Sequence, residues 1–114
     1  MNEVKFENDL LHVGNLKIRF NNKISQIKQE PDKIFVLLNI PPKKELNYDD
    51  CHNIYCYNFS GNKVWQIGNC PKGDNTVFTM MNIIESILYV NDFLGRRFVV
   101  NKENGTLGTM NITK

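Results

Sequence analysis

The 114-residue chain contains no alanine, the residue with the highest intrinsic helix propensity. It also lacks any apolar run approaching the roughly 18 to 20 residues that a membrane-spanning helix requires. Isoleucine, valine, phenylalanine and tyrosine, which favour strands, are plentiful. These features predict an all-β protein without a membrane span.

Signals for export and for nucleic-acid binding are also missing. The first six residues contain no apolar signal-peptide core. Three cysteines, an odd number, cannot form a complete set of disulfides and favour a reducing compartment. A formal net charge of +2 is too small for a nucleic-acid footprint. We therefore expect one cytoplasmic domain, residues 1–114, that binds neither nucleic acid nor membrane.

Catalytic motifs are not found either. His12 and His52 are the only histidines, and no nucleophile elbow, zinc-protease, Walker or dinucleotide-binding motif occurs. We predict no enzymatic activity, no catalytic residue, no metal ligand and no cofactor.

One alternative is a zinc-dependent enzyme built on Cys51, His52 and Cys70, because thiolate and imidazole are zinc ligands. The cysteine spacings lack the short knuckle of zinc ribbons, and Cys56 shares a strand face with Ile54, toward the predicted core. Cys51 and His52 are also a poor nucleophile and base, since neighbours in an extended segment point to opposite sides.

Three glycines recur in similar surroundings. Gly14, Gly61 and Gly105 each separate two apolar, alternating segments, at intervals of 47 and 44 residues. Glycine at such a position indicates a tight turn between antiparallel strands, because it adopts a positive φ without steric cost. The interval lies within the ~40–50 residues of a β-propeller blade.

The pattern predicts a partial blade in residues 10–20 and four-stranded blades in residues 23–67 and 76–112. The predicted strands are Leu10–Val13, Leu16–Phe20, Lys23–Gln29, Lys33–Asn39, Asn53–Phe59, Lys63–Ile67, Thr76–Asn82, Ile87–Phe93, Arg97–Asn101 and Leu107–Ile112. Aligning the two full blades places an inserted loop at residues 40–52. The expected fold is all-β: antiparallel blades forming an incomplete half-propeller, or a β-sandwich-like meander.

Two competing readings remain open. A shift of 34 residues aligns Gly61 with Gly95 and would give two simple hairpins instead of blades. In Val77–Leu88 the apolar residues also fit helical spacing. The turn signal at residues 73–75 and the β-rich surroundings favour strands there.

Residues 55–65 combine an apolar strand, a turn containing Gly61, a basic residue and Trp65. This segment resembles the repeat of quinoprotein-like (PQQ-type) β-propellers, and residues 88–96 resemble it more weakly because they lack the tryptophan. In that family the tryptophan docks a blade onto its neighbour, which implies a packing role for Trp65. No residues correspond to the family's quinone- and metal-binding sites, so the resemblance implies the fold only.

The inserted loop holds the only acidic cluster of the chain, Glu45, Asp49 and Asp50, next to Tyr48. Two prolines stiffen the start of the loop, and a tyrosine is a rigid aromatic anchor. Adjacent carboxylates suit a basic partner surface. A solvated loop without function is the alternative. We predict that Glu45, Tyr48, Asp49 and Asp50 bind a protein partner.

These observations together predict a small, non-catalytic protein-binding module. In its class of features it is similar to bacterial immunity proteins, which neutralise a toxin domain by covering its active site, as in contact-dependent inhibition. The second hypothesis is a self-assembling half-propeller, a homodimer joined through exposed edge strands, that binds a small ligand.

Overall fold

In the computed structural model, which describes residues 3–71 and 73–109, the alternating apolar segments form antiparallel strands. These are β1 (Val4–Glu7), β2 (Leu10–Val13), β3 (Leu16–Arg19), β4 (Ile24–Glu30), β5 (Lys33–Leu38), β6 (Ile54–Tyr57), β7 (Lys63–Gln66), β8 (Phe78–Ile84), β9 (Ile87–Asp92), β10 (Arg97–Val100) and β11 (Leu107–Thr109). Each strand pairs with its neighbours in sequence, giving a first sheet (β1–β3), a second (β4–β7) and a third (β8–β11). The predicted all-β antiparallel meander is confirmed.

The three recurring glycines occupy equivalent places in the three sheets. Gly14, Gly61 and Gly105 each connect the last two strands of a sheet and have φ values of +59°, +86° and +81°. Gly95 instead connects β9 to β10, the middle strands of the third sheet. The long interval is therefore the repeat of the fold, and the reading based on a 34-residue shift is wrong.

Two predicted boundaries need correction. The first sheet has a third strand, β1, which pairs with β2 and places Val4 opposite Val13. The charged residues Lys5 and Glu7 make up half of this strand, so its sequence did not indicate a strand. Residues 77–88 form β8, a turn and the start of β9, so the helical reading is wrong. The predicted end of the last strand, at residues 110–112, lies outside the described residues.

The second sheet lies between the other two. On β5, Phe35 and Leu37 point into a core shared with the third sheet, while Ile34 and Val36 point into a core shared with the first sheet. Consecutive side chains of a strand point to opposite faces, so a continuous apolar run such as residues 34–38 indicates a strand covered on both sides.

The first strands of successive sheets lie next to one another, with β4 contacting both β1 and β8. The stack measures 42 × 36 × 18 Å, and none of the three sheets closes on itself within the described residues. A radial, propeller-type arrangement of the sheets stays a prediction.

Trp65 joins the second sheet to the third. Its indole N–H donates to the carbonyl of Lys102 at 2.8 Å, and its side chain is 6% exposed. A Cβ added to Gly105 would lie 2.7 Å from the indole, so glycine is required there for space as well as for φ. The predicted packing role of Trp65 is confirmed.

Candidate functional site

The segment between β5 and β6 is the longest irregular part of the described chain, and it lies where the insertion was predicted. It runs from Asn39 to Asn53 and contains one short 3₁₀ helix, Asp50–His52. We refer to residues 40–52 as the inserted loop. Its side chains form one wall of a cleft against the third sheet.

Asp50 is the polar centre of the inserted loop. The Asn47 backbone N–H donates to the Asp50 carboxylate at 2.9 Å, and the Asp50 backbone N–H donates to the Asn47 side-chain oxygen at 2.8 Å. The Lys43 ammonium lies 2.9 Å from the same carboxylate. Asp50 is only 3% exposed, so the structure makes it a support of the loop and not a group that meets a partner.

The surroundings of Asp50 hold its carboxyl group ionised. Burial acts to raise its pKa, but the hydrogen bond from Asn47 and the ion pair with Lys43 outweigh burial and hold the pKa below its usual value. The adjacent acids therefore have different roles, because only Asp49 remains at the surface.

His52 anchors the other end of the inserted loop. Its Nδ1–H donates to the carbonyl of Tyr48 at 2.6 Å, and its Nε2 lies 2.7 Å from the side-chain oxygen of Asn69. The Tyr48 ring stacks on the buried imidazole with 3.8 Å between ring centroids and 11° between planes. Tyr48 is thus held in one orientation although it is 62% exposed.

The two exposed carboxylates flank Tyr48. Asp49 accepts a hydrogen bond from the Gln66 amide at 3.1 Å, and the same amide donates to the carbonyl of His52 at 3.0 Å. Glu45 is exposed and forms no ion pair with any described residue. The structure therefore brings Glu45, Tyr48 and Asp49 to the surface of one loop.

An apolar cleft of about 490 Å³ separates the start of the inserted loop from the third sheet. Its apolar wall residues come from the end of β5, from the loop, from the chain entering β8 and from the β9–β10 turn: Leu37, Leu38, Ile40, Pro41, Pro42, Leu46, Val77, Phe78 and Phe93. Phe93 is 72% exposed, the most exposed of the large apolar side chains described. No local pattern in the sequence marked Phe93, because a turn phenylalanine is distinctive only once its neighbours are known.

Two β-bulges shape the rim of this cleft. The β4–β5 ladder shifts at Ser25 and the β8–β9 ladder shifts at Thr79, and both residues line the cleft. A bulge turns a side chain away from the regular alternation of its strand. The mainly apolar cleft therefore has two hydroxyl-bearing residues at its rim, in addition to Asn39 and Lys43. Sequence reasoning missed both bulges because an extra residue in one strand shows only against its partner strand.

All three cysteines are buried, and none of them lines the cleft. Burial raises the pKa of the Cys56 thiol to about 12. Burial also raises the pKa of Cys51, and the nearby charge of Asp50 adds to that effect. Both shifts disfavour the thiolate, which is the form that binds metals and attacks electrophiles. Among the residues that the structure describes, no three His, Cys, Asp or Glu side chains are grouped as a metal site.

The fold and site define a class: an all-β protein of stacked antiparallel meanders that carries a well-structured loop beside an apolar cleft. The chain belongs to the family described as a domain of unknown function, DUF7957, whose model matches residues 1–112. A search of curated proteins and a search of solved structures each found no match. In the described part of the chain no helix has the length and apolarity needed to cross a bilayer.

Proposed function

We propose that this protein is a non-catalytic protein-binding module. Its contact surface, called the loop surface below, consists of Glu45, Leu46, Tyr48, Asp49 and Phe93 together with the apolar cleft between Leu46 and Phe93. The observation that carries the proposal is that two exposed side chains, Leu46 and Tyr48, lie on a loop held by its own hydrogen bonds, next to a cleft that the exposed Phe93 also lines.

Exposure combined with order distinguishes the loop surface from an ordinary solvated loop. Large apolar side chains that lie together at the surface commonly mark interaction sites. The Asp50–Asn47 bonds and the stacking of Tyr48 on His52 have already removed much of the conformational freedom of the loop. Binding a partner therefore costs little conformational entropy in this loop.

The surface also specifies the chemistry of the partner. The cleft has room for an apolar side chain, and burying such an anchor is a common source of interface energy. Glu45 and Asp49 do not line the cleft, but they are exposed on the same loop with carboxylates available at the surface, whereas the charge of Asp50 is occupied by Lys43. The complementary partner carries an apolar or aromatic side chain next to lysine or arginine.

The particular partner we propose is a toxin domain, which makes the protein a bacterial immunity or inhibitor protein of the cytoplasm. An inhibitor that works by covering an active site needs a pre-formed contact surface and no catalytic group of its own. The loop surface supports this proposal because its apolar cleft and the exposed carboxylates of Glu45 and Asp49 suit a basic, substrate-binding face.

Co-expression with the products of the adjacent reading frames, followed by calorimetry on the complex, tests both parts of the proposal: that the loop surface binds a protein, and that this protein is a toxin domain. Tyr48→Ala and Phe93→Ser are each expected to weaken binding at least about tenfold, as loss of a central aromatic contact does. Val64→Ser is the matched control, because Val64 is an exposed apolar residue on β7. If both variants fold and bind with wild-type affinity, the loop surface is not part of the interface. If none of the neighbouring products binds, the immunity assignment is wrong.

A further inference from the structure

The third sheet has one face in the core and one face at the surface. The outer face carries five apolar side chains, most of them exposed: Met80, Ile84, Ile87, Tyr89 and Val99. Two asparagines and Arg97 complete it. Cross-strand pairing places Ile84 opposite Ile87 and Tyr89 opposite Val99, so the apolar side chains form a continuous patch. No described part of the chain covers this face.

The opposite end of the stack is different. On the outer face of the first sheet, Lys5, His12 and Lys17 are direct neighbours across three strands. Stacked-sheet proteins need polar outer faces on their terminal units to remain soluble. The first sheet provides such a face, whereas the third sheet ends the stack with an apolar one.

Charges at the two ends of the outer face are complementary to each other. Arg97, on β10, lies beside the C-terminal end of β9 at one end of the face. Glu85 lies at the other end, in the β8–β9 turn. Arg97 packs over the ring of Tyr89 at 4.5 Å, and neither Arg97 nor Glu85 forms an ion pair with a described residue. Consider a twofold axis that runs between two copies of the sheet, parallel to their planes and perpendicular to their strands. It would bring the Arg97 end of one copy against the Glu85 end of the second.

We propose that the outer face of the third sheet binds a second copy of this chain, forming a twofold symmetric dimer with the two sheets face to face. Four strands and the seven residues of β8 give a face of roughly 19 by 23 Å. Two such faces bury on the order of 1,000 Å² in total, near the lower limit for a specific interface. An interface of this size belongs to the weak, transient class, for which we expect a dissociation constant in the micromolar range.

A closed ring of several copies is the competing way to cover this face. In such a ring the third sheet of one copy would pack on the first sheet of the next. The apolar patch would then cover the charged groups of Lys5, Glu7, Lys17 and Arg19, which share the outer face of the first sheet. Removing charged groups from water without a partner is strongly unfavourable. The charges thus favour the face-to-face dimer over the ring.

Sedimentation equilibrium from about 5 to about 500 µM tests the proposal, since this range brackets the expected dissociation constant. The wild type is expected to dimerise within this range. Glu85→Arg and Arg97→Glu should each weaken the dimer at least about tenfold, and the double variant, which exchanges the two charges, should restore it. A wild type that stays monomeric throughout, or a double variant no better than the singles, would overturn the proposal.

Three further variants separate this surface from others. Ile87→Arg should abolish the dimer, while a dimer that survives this change uses another surface and contradicts the proposal. Lys17→Glu should leave dimerisation unchanged; stronger association in Lys17→Glu would favour the ring instead. Tyr48→Ala lies on the loop surface and should also dimerise normally, so this proposal and the proposed function can fail independently. All the changed side chains are exposed or at the surface of the fold, and circular dichroism verifies folding.

Discussion

At the scale of single residues, Asp50 connects the chemistry of the inserted loop to its shape. Its carboxylate accepts from the Asn47 backbone and from Lys43, which draws residues 43–50 into one compact turn. This is the geometry that leaves Tyr48 and Asp49 facing solvent. A buried carboxylate with two donors therefore supports a surface made by its neighbours.

The lowered pKa of Asp50 predicts a pH dependence of stability. A carboxyl group whose pKa is lower in the folded state stabilises the fold above its unfolded pKa, about 3.9, and this contribution disappears as the pH falls through the folded value. Asp50→Asn should cost about 1.5–3 kcal/mol at pH 7, the range for a hydrogen bond to a charged group. The difference from wild type should shrink as the pH falls below the unfolded value of about 3.9.

Urea unfolding of both proteins between pH 7 and pH 3 measures this difference. Asp49→Asn is the matched control, since Asp49 is exposed and should change stability little at any pH. Other carboxylates are common to all three proteins and cancel. Parallel pH profiles for wild type and Asp50→Asn would show that the charge of Asp50 does not stabilise the loop.

At the scale of elements, the side-chain amide of Asn53 is one of the links between the second sheet and the third. The Asn53 side chain donates to the carbonyls of Leu38 and Phe78 at 2.8 and 2.9 Å, and it accepts from the Phe78 backbone N–H at 2.9 Å. Asn53 is fully buried. It therefore holds the end of β5 and the start of β8 together where the apolar cleft begins.

Asn53→Ala leaves buried backbone groups of Leu38 and Phe78 without this partner. Each unsatisfied buried group costs about 1–3 kcal/mol, so the expected loss is at least about 3 kcal/mol of unfolding free energy. Asn58→Ala is the control, because Asn58 bonds only to backbone groups of its own exposed β6–β7 turn. Chemical denaturation distinguishes them, and equal losses for the two variants would argue that Asn53 acts as an ordinary turn residue.

At the scale of the whole molecule, the middle position of the second sheet determines where the fold is most stable. β5 is paired on both sides and covered on both faces, whereas the first and third sheets each have an outer face at the surface. Amide hydrogen exchange reports such differences in local opening. The backbone amides of β5 and β6 are expected to exchange most slowly, and those of β1 and β3 much faster.

Exchange monitored by NMR would test this order directly. The apolar outer face of the third sheet adds a concentration dependence, because dimerisation should slow exchange in β8 and β9 while leaving β1 to β3 unchanged. If the backbone amides of the first sheet exchanged as slowly as those of β5, the three sheets would open as one unit and not from the ends of the stack.

Local patterns in the sequence were sufficient for most strands. Alternating apolar residues marked β2 to β10 within a few positions, and Gly14, Gly61 and Gly105 marked the equivalent turns. The strand β1 was missed because Lys5 and Glu7 dominate its four residues. Of the four residues predicted to bind a partner, Glu45, Tyr48 and Asp49 are at the surface and Asp50 is buried; the binding role of the exposed three stays a prediction.

The sequence by itself determined the strands, the glycine turns and the position of the inserted loop, because backbone preference and side-chain alternation act between residues close in the chain. Only the tertiary structure decided that Asp50 supports the loop, that Ser25 and Thr79 bulge into one cleft and that the third sheet ends the stack with an apolar face. Those outcomes depend on which side chains from distant segments share a space. Neighbours in space, not in sequence, set burial and charge pairing.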